Sequence, residues 1–384
     1  MSNGETLINT TSLFQQQDPS LDKRFFRKAF PRTAYDVKMI PYYRRRTRNF
    51  APERITLITW ITVDRFPRLA SLAKRDIGPI SVVVYTPADD RKAATELHQL
   101  DQLLLAQPLV AALADIHLVT GTQMIMHNMW RNIARAFATT DWVMLWDADF
   151  EPCTDYQAGF ERFRAVTGEK EWVNRLDRGK AALVMPVFEW VKSMGTNGLC
   201  PRDKEELAEQ YRLLSIDAFE SDNPKLSHAT NYAHFVQSDK PYEVVDFEFL
   251  YEVYAIFRQD MDVWGDERFV GLGFERAAFT ASMWLSDMEL YVLPDQWAVH
   301  EPHPAAAIAR KTSVDNLLAW NTFRTDLCHS TANSLSILGQ LHLDAGRRVL
   351  MACQNLDLAG LKPDLKRLLM MSNVNHYRIE NSQV

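Results

Sequence analysis

Short apolar runs and stretches of helical periodicity alternate along the chain from about residue 55. Five runs rich in β-branched residues predict strands, at residues 55–61, 80–85, 115–120, 142–146 and 182–188. Runs that are apolar almost throughout are typical of strands buried on both faces of a sheet. Apolar residues at helical spacing predict helices at 64–75, 89–106 and 124–140. This alternation favours an α/β fold with a mostly parallel central sheet flanked by helices.

The pattern is less regular after Pro186. We expect an amphipathic helix at 203–219, a long or bent strand at 243–257, and a strand ending at two histidines at 289–303. Helical spacing returns beyond about residue 305, whereas residues 1–50 are polar and show little periodicity. The chain is therefore predicted to have a polar extension at 1–50, a main domain at 51–305, and a helical extension packed on it at 306–384.

Composition and charge describe an ordinary globular protein. The formal net charge of -6 gives no overall basis for binding nucleic acid. No run approaches the roughly 20 apolar residues of a transmembrane helix, and the N-terminus lacks the apolar core of a signal peptide. The spacing of the four cysteines does not match a zinc site and leaves open free thiols or one or two disulfides. With no secretory signal visible, we expect a soluble chain with four free thiols.

The clearest chemical feature is the stretch "WVMLWDADFEP", in which an apolar strand runs into Asp147 and Asp149. In open α/β sheets, ligands bind beyond the carboxyl ends of the strands. Two carboxylates one residue apart can bind one hard cation, or one can bind the cation while the other binds a ribose hydroxyl. Oxygen ligands of this kind suit Mn²⁺ or Mg²⁺ shared with substrate phosphates.

Two other observations bear on this D-x-D sequence. The chain has a second one, at Asp260 and Asp262, which polar residues separate from its strand and which serves as an internal control. His300 ends a late strand in "AVHEPHP", and an imidazole from a distant segment is a plausible third protein ligand. We therefore predict a metal site at Asp147, Asp149 and His300, the alternative for His300 being an ordinary loop histidine.

Several ordered blocks between about residues 55 and 304 resemble glycosyltransferase family 49, the LARGE-like and β-1,4-glucuronyltransferase family. They are "ITLITWITVDRFPRL", "GPISVVVY", "HNMWRNIA", "WDADF", "MPVFEW", "TNYAHF", "YEVY", "DERFVGLGFERAAF" and "LPDQWAVHEPHP". The resemblance implies a Rossmann-like fold of the GT-A type, which is an α/β fold. It also implies an inverting transferase that uses Mn²⁺, or Mg²⁺, and a UDP-sugar. Members of the family transfer glucuronic acid to a glycan or glycoconjugate acceptor.

The resemblance also assigns residues to the nucleotide-sugar and metal sites. Asp147, Asp149 and His300 correspond to the metal ligands. Donor contacts are expected from the residues of the matching blocks, namely Thr59, Asp64, Arg65, Asn128, Arg131, Asn132 and Asp147. Lys311, with Arg310 just after the histidine motif, is placed to meet the diphosphate or to be a basic pair on a helix surface.

An inverting transfer requires a carboxylate that takes the proton of the acceptor hydroxyl. Glu252 is the first candidate because it matches the family glutamate, with Asp266, Glu275 and Glu189 as alternatives. Each of these carboxylates also has a non-catalytic alternative: Glu252 could contact the acceptor, Asp266 could form an ion pair with Arg268, and Glu275 could stabilise the start of a helix. Two positions differ from the family pattern: the family's E-P-Y is Glu252-Val253-Tyr254 here, and Glu275 stands where asparagine is frequent. Both lie where the acceptor and the base are expected, so the family's acceptor is not assigned to this chain.

Three other functions remain open at this point. They are a retaining UDP-sugar transferase of the same fold, a catalytically silent protein that binds a sugar nucleotide or glycan, and a metal-dependent phosphoesterase. The complete set of Asp147, Asp149 and His300 disfavours a silent protein, and the phosphoesterase would need more clustered ligands. Family members usually have a membrane anchor and work in the Golgi lumen. The visible sequence shows no anchor and by itself indicates a soluble, cytoplasmic protein.

Overall fold

The computed structural model describes residues 37–75, 77–122, 125–165, 170–191, 200–300 and 313–353. Its strands are β1 (Val37–Arg44), β2 (Ile55–Thr62), β3 (Ile80–Pro87), β4 (Ala114–Gly121), β5 (Trp142–Leu145), β6 (Phe150–Pro152), β7 (Ala181–Met185), β8 (Val187–Trp190), β9 (Ile216–Ala218), β10 (Tyr242–Glu243), β11 (Tyr254–Arg258), β12 (Glu289–Val292) and β13 (Ala298–His300).

The helices of the described residues lie between and after these strands. They are α1 (Phe66–Lys74), α2 (Asp90–Ala106), α3 (Pro108–Leu113), α4 (His127–Ala136), α5 (Tyr156–Ala165), α6 (Lys170–Asp177), α7 (Lys204–Arg212), α8 (Pro224–Ser227), α9 (Tyr232–Phe235), α10 (Glu275–Leu285), α11 (Ser313–Ile337) and α12 (Asp344–Cys353). No helix among these residues combines the length and apolar character needed to cross a membrane.

The central sheet confirms the predicted α/β class. Within the described residues it has nine strands in the order β1-β4-β3-β2-β5-β11-β7-β12-β10. Strands β4, β3, β2 and β5 pair in parallel, as do β7 and β12, while β11 lies antiparallel between β5 and β7. The sheet is therefore mixed around a parallel half. Its middle strands are buried along almost their whole length, as their continuous apolar sequences predict.

A smaller sheet of four strands, β6-β13-β8-β9, lies beside the first. Strand β13 pairs antiparallel with β6, so that His300 is opposite Phe150, and parallel with β8, so that His300 is opposite Glu189. This register brings the end of a late strand next to the residue that follows Asp149. Two segments about 150 residues apart in sequence thereby meet at one edge.

Several predicted elements differ from the structure. The strand predicted at 182–188 divides at Pro186 into β7 of the central sheet and β8 of the smaller sheet. The helix predicted at 203–219 ends at Arg212, because Leu214 takes a left-handed φ of 55° and the chain continues into β9. The long strand predicted at 243–257 is two strands, β10 and β11, separated by a turn in which Tyr251 N–H donates to the Glu248 carbonyl. The strand predicted at 289–303 is interrupted at Pro294, which has no backbone N–H, and divides into β12 and β13.

Structure is also found in the segments predicted to be extensions. Strand β1 pairs antiparallel with β4, so the central sheet includes residues before residue 51. Helix α11 packs through Trp320 and Phe323 against Phe269 and the alanine face of α10. The division of the chain at residues 50 and 305 stays a prediction.

All four cysteines are paired, so the expectation of four free thiols is wrong for this structure. Cys153 bonds Cys200, and Cys328 bonds Cys353. The first bridge joins the residue after β6 to the segment that leads into α7, and the second joins α11 to α12. Spacing alone does not reveal these pairs, because their partners meet only through the packing of separate elements of the fold.

Candidate functional site

Asp147 lies just beyond the carboxyl end of β5, at the centre of the sheet. Its neighbours in the sheet, β2 and β11, flank the same edge. Strand β5 is entirely apolar and buried, so the first polar side chain after it emerges where the strand ends. The Asp147 side chain is 24% exposed, so it is partly accessible to solvent.

Three side chains from three different elements bind the Asp147 carboxylate. Arg131 of α4 donates from Nη2 to Oδ1 at 2.5 Å, and the Tyr254 hydroxyl donates to Oδ2 at 2.9 Å. The Arg276 guanidinium also donates to Oδ2. Burial by itself would raise the pKa of Asp147, but Arg131 and Arg276 outweigh it and hold this pKa well below its ordinary value. The carboxylate is therefore ionised at every physiological pH.

Glu252 lies on the other side of Arg276. Its Oε2 is 3.5 Å from Arg276 Nη1, and its backbone N–H donates to the Leu226 carbonyl at 2.9 Å. The side chains of Glu252 and Arg276 line a cleft that is partly open to solvent. Burial raises the pKa of Glu252 to about 8, and Glu275 and Glu220 add to the rise against the opposing effect of Arg276. A carboxyl group with this pKa is able to exchange a proton near neutral pH.

Asp149 and His300 reach the site through the smaller sheet. Arg65 donates to Asp149 Oδ1 at 3.0 Å, and Arg68 Nε lies 3.6 Å from the same oxygen. His300 Nδ1 is 3.8 Å from Glu189 Oε2, and its ring lies against Phe150 and Phe219. The backbone pairing of β6 with β13 brings the two segments together, while a metal site shared by their side chains stays a prediction.

The side chains, as placed, do not complete a metal site. Among the described residues no group of three histidine, cysteine or acidic side chains is close enough to hold a metal ion. Asp147 and Asp149 have the oxygen donors that Mn²⁺ or Mg²⁺ prefers, yet both carboxylates bind arginines. The donor chemistry of Asp147 and Asp149 fits a divalent cation, which would have to displace or share the arginine contacts of these carboxylates.

The predicted donor-binding residues fall into two groups. Arg131 and Arg65 bind the two aspartates, and Asp64 is exposed in the turn before α1. Asn128 and Asn132 instead hold the loop before α10. Asn128 donates to the carbonyls of Asp266 and Glu275, at 2.9 and 2.8 Å.

Asn132 donates to the Gly265 carbonyl at 2.9 Å and to Glu267 Oε1 at 2.8 Å. The Thr59 side chain is buried in β2, and its hydroxyl has no hydrogen-bond partner in the part of the chain that the structure describes. Lys311 and its neighbour Arg310 lie outside the described residues. The role of each of these residues in donor binding stays a prediction.

The alternative bases have structural partners. Asp266 accepts from the backbone N–H of Arg268 at 3.0 Å and from its Nε at 2.9 Å. This is the ion pair expected for Asp266 if it is not the base. Glu275 begins α10 and accepts from Gly273 N–H at 2.8 Å, as expected for a helix-start carboxylate. Glu189 accepts from the backbone N–H of Glu220 at 2.8 Å.

The second D-x-D sequence differs from the first in its surroundings. Asp260 accepts two hydrogen bonds of 2.9 Å from Arg258, in the turn after β11. Asp262 is exposed, and neither aspartate lines the cleft at Glu252. This agrees with the use of the second pair as a control.

Sequence reasoning missed the central roles of Arg276 and Tyr254. Both lie in blocks that resemble the family, "GFERAAF" and "YEVY", but neither was given a contact. The signal that was available is that Arg276 follows Glu275 at the start of an otherwise apolar helix. Burying an arginine there is costly unless a carboxylate from another element forms an ion pair with it.

Comparison with known proteins agrees with the resemblance. A family model described as "Glycosyl-transferase for dystroglycan" matches residues 121–330, which is more than half of the chain. Among curated relatives, the glycosyltransferase-like protein gnt14 of Dictyostelium discoideum is 28% identical over 66% of this chain and 38% of its own length. Human xylosyl- and glucuronyltransferase LARGE2 is 30% identical over 67% of this chain and 34% of its own length.

The chain therefore spans about a third of the length of these two relatives. Among solved structures, residues 1–349 of S. aureus TarS in complex with UDP-GlcNAc align with a TM-score of 0.43 and 12% identity, over 82% of this chain and 78% of that one. The match to the family model includes the D-x-D sequence at Asp147 and Asp149, the Glu252 segment and Arg276. The chain belongs to this LARGE-like glycosyltransferase family.

Proposed function

We propose that this chain is an inverting glycosyltransferase that uses a divalent cation to transfer a sugar from a UDP-sugar to a hydroxyl of a glycan or glycoconjugate. Glucuronic acid is the first choice of sugar, because human LARGE2 is named as a xylosyl- and glucuronyltransferase and the sequence blocks resemble the glucuronyltransferase family. The observation that carries the proposal is the pairing of Asp147 with Glu252 through Arg276, at the carboxyl edge of the central sheet.

Binding of the donor is the first task of the site. The buried guanidinium of Arg131 supplies positive charge at the end of β5, where a diphosphate would lie. Arg131 lies in the second turn of α4, and helix N-termini favour anions. Arg65, beside Asp149, adds a cation that is partly exposed and accessible to a ligand.

Removal of the acceptor proton is the second task, and Glu252 is the proposed base. A general base is most efficient when its pKa lies near the working pH, which agrees with the pKa of about 8 that burial imposes on Glu252. The hydrogen-bonded partners of Asp266, Glu275 and Glu189 in turns and helix starts support structural roles for these three carboxylates.

Asp147, Asp149 and His300 are the proposed ligands of Mn²⁺ or Mg²⁺. A cation held there would neutralise charge on the departing UDP. Support comes from the register of β6 and β13, which places His300 opposite the residue after Asp149. Such binding requires the Arg65 side chain to move away from Asp149, and the Asp147 carboxylate to share its oxygens between the cation and its arginines.

A thermal-shift screen tests the proposal. The wild type is heated with UDP-glucuronate, UDP-glucose, UDP-galactose, UDP-xylose or UDP-GlcNAc, each with and without Mn²⁺. A ligand present at about 100 times its Kd stabilises the folded state by ~2.7 kcal/mol, so the correct donor raises the Tm measurably. We expect stabilisation by one donor only when Mn²⁺ is present, and slow release of UDP from that donor.

Two alternatives predict different outcomes of the same screen. A silent sugar-nucleotide-binding protein would be stabilised but would release no UDP with any of a panel of methyl β-glycosides as acceptors. A retaining transferase would release UDP but would give a product with the anomeric configuration of the donor, which proton NMR of the product distinguishes. Stabilisation by no nucleotide sugar would contradict the proposal.

A further inference from the structure

We propose that Arg276 is a positioning residue, which holds the carboxylate of Glu252 at a fixed place relative to Asp147 for the transfer step. This inference rests on the function proposed above for these two carboxylates. It concerns a residue to which the sequence blocks assign no role, and it explains why the start of α10 lies at the site.

The geometry of Arg276 is that of a bridge between two carboxylates. Its Nη2 donates to Asp147 Oδ2, and its Nη1 is 3.5 Å from Glu252 Oε2. Because the guanidinium is planar and rigid, contacts made by its two terminal nitrogens fix the separation of the two partners. The Arg276 side chain is only 8% exposed, so water cannot easily replace either contact.

A third contact orients the guanidinium itself. Arg276 Cζ lies 4.2 Å from the centre of the Tyr254 ring, and the Tyr254 hydroxyl donates to Asp147. Tyr254 begins β11 two residues after Glu252, so one short segment supplies both the stacking ring and the second carboxylate. A lysine at position 276 would keep the charge but lose the stacking and the second nitrogen.

The backbone before α10 is shaped to bring this arginine inward. Gly271, Gly273 and Phe274 have φ angles of 86°, 108° and 69°, and the helix begins immediately afterwards at Glu275. Left-handed conformations in succession are costly for residues other than glycine. The strained turn at Phe274 is stabilised by stacking of its ring on Trp320 and by Asn128, which binds the Glu275 carbonyl.

Several charged groups face Glu252 and determine how strongly Arg276 acts on it. Arg276 and Arg131 favour the ionised carboxylate, whereas Glu275 and Glu220 oppose it. Of these four groups Arg276 acts most strongly on the Glu252 carboxylate, from a distance of 3.5 Å. Its removal is therefore expected to raise the pKa of Glu252 further and to release the side chain from its position.

The test compares Arg276→Met and Arg276→Lys with the wild type, by UDP release from UDP-glucuronate across pH 6 to 9. We expect Arg276→Met to lower kcat by about 100-fold and to move the acid limb of the pH profile upward by about one unit. Arg276→Lys should recover about a tenth of the wild-type kcat, because it keeps the charge without the bridge. Circular dichroism and the Tm of the lysine variant verify that the fold is intact.

A double-mutant cycle shows whether Arg276 acts through Glu252. In a Glu252→Gln background, Arg276→Met should lower turnover by less than about threefold, because the partner it positions is already lost. The matched control is Arg258→Met, which removes an arginine with two 2.9 Å hydrogen bonds to Asp260 away from the cleft. The control should leave kcat and the pH profile unchanged.

Two results would overturn the inference while leaving the proposed function intact. One is an active wild type whose kcat and acid limb do not change in Arg276→Met. The other is a full multiplication of the two single effects in the double variant. A wild type that releases no UDP from any donor would instead overturn the proposed function, and this inference with it.

Discussion

Glu252→Gln is the variant that most directly tests the chemistry proposed for the cleft. The structure raises the pKa of this carboxyl to about 8 by burial, with Glu275 and Glu220 adding to the effect. With that pKa, roughly 1 in 100 molecules carries the ionised base at pH 6, about a tenth at pH 7 and about half at pH 8. Turnover of the wild type should therefore rise about tenfold from pH 6 to 7 and about fivefold from pH 7 to 8.

The assay is UDP release at saturating donor, in overlapping buffers from pH 6 to 9. Loss of a general base typically lowers the rate by about 10²- to 10⁴-fold, and the residual rate should no longer follow the acid limb. Binding of UDP, measured by thermal shift, should remain close to that of the wild type. A lost acceptor contact would act mainly on acceptor KM instead.

Glu267→Gln is the matched control for this experiment. Burial also raises the pKa of Glu267 to about 8, but its carboxylate binds Asn132 in the loop before α10 and does not line the cleft. If the acid limb arose from general loss of stability, Glu267→Gln would alter it as well. We expect the control to keep both the limb and the turnover.

The reasoning is refuted if Glu252→Gln keeps most of its turnover. The same conclusion follows if the active wild type shows a flat profile between pH 6 and 8. Collapse of turnover in Asp266→Asn or Glu275→Gln, with Glu252→Gln active, would move the base to one of those residues. Glu252 would then be at most an acceptor contact.

Three further predictions concern the metal, the stability and the bridges. Asp149→Asn and His300→Ala should each abolish the Mn²⁺-dependent part of the thermal shift with UDP, and an unchanged shift would remove these residues from the site. The pKa of Glu267 is about 8 in the folded state, against an ordinary value of 4.5. The contribution of Glu267 to the free energy of unfolding is therefore fully present below about pH 4.5 and is lost as the pH rises towards 8. Glu267→Gln should reduce this fall, which is at most ~1.4 kcal/mol per pH unit, in urea titrations at pH 5 and 8. Replacing Cys328 and Cys353 by serine should cost about 3 kcal/mol, given a sequence separation of 25, and an unchanged urea midpoint would show that this bridge is not formed.

The sheet was predictable from sequence where a strand is buried on both faces. Strands β2, β3, β4 and β5 agree with the apolar runs within one or two residues at each end. The pattern failed where short strands follow turns, as at β10 and β11, because an apolar run does not show that Tyr251 turns back to Glu248. It also could not show that β1 completes the edge of the sheet, since a half-exposed edge strand has a weak pattern.

The site was predictable as far as a strand end indicates where polar side chains emerge. Asp147 and Asp149 followed from that rule, His300 followed from its place at the end of a late strand, and the resemblance added Glu252. Arg276 did not follow, because its contacts depend on where α10 is placed and not on its own sequence. The same limit applies to Asn128 and Asn132, whose side-chain amides bind the loop before α10.

The two aspartates of the D-x-D sequence differ in how much of the fold depends on them. Asp147 balances two arginines whose side chains are 3% and 8% exposed, so its loss would leave buried positive charge without a partner. Removing one partner of a buried ion pair typically costs about 3–5 kcal/mol, and a defect at Asp147 therefore mixes folding with function. Asp149 pairs with Arg65, which is 34% exposed and can turn to solvent when the carboxylate is lost. Removing the Asp149 carboxylate should therefore destabilise the fold less than removing that of Asp147. Asp149 is the residue at which an effect on metal binding can be separated from an effect on stability.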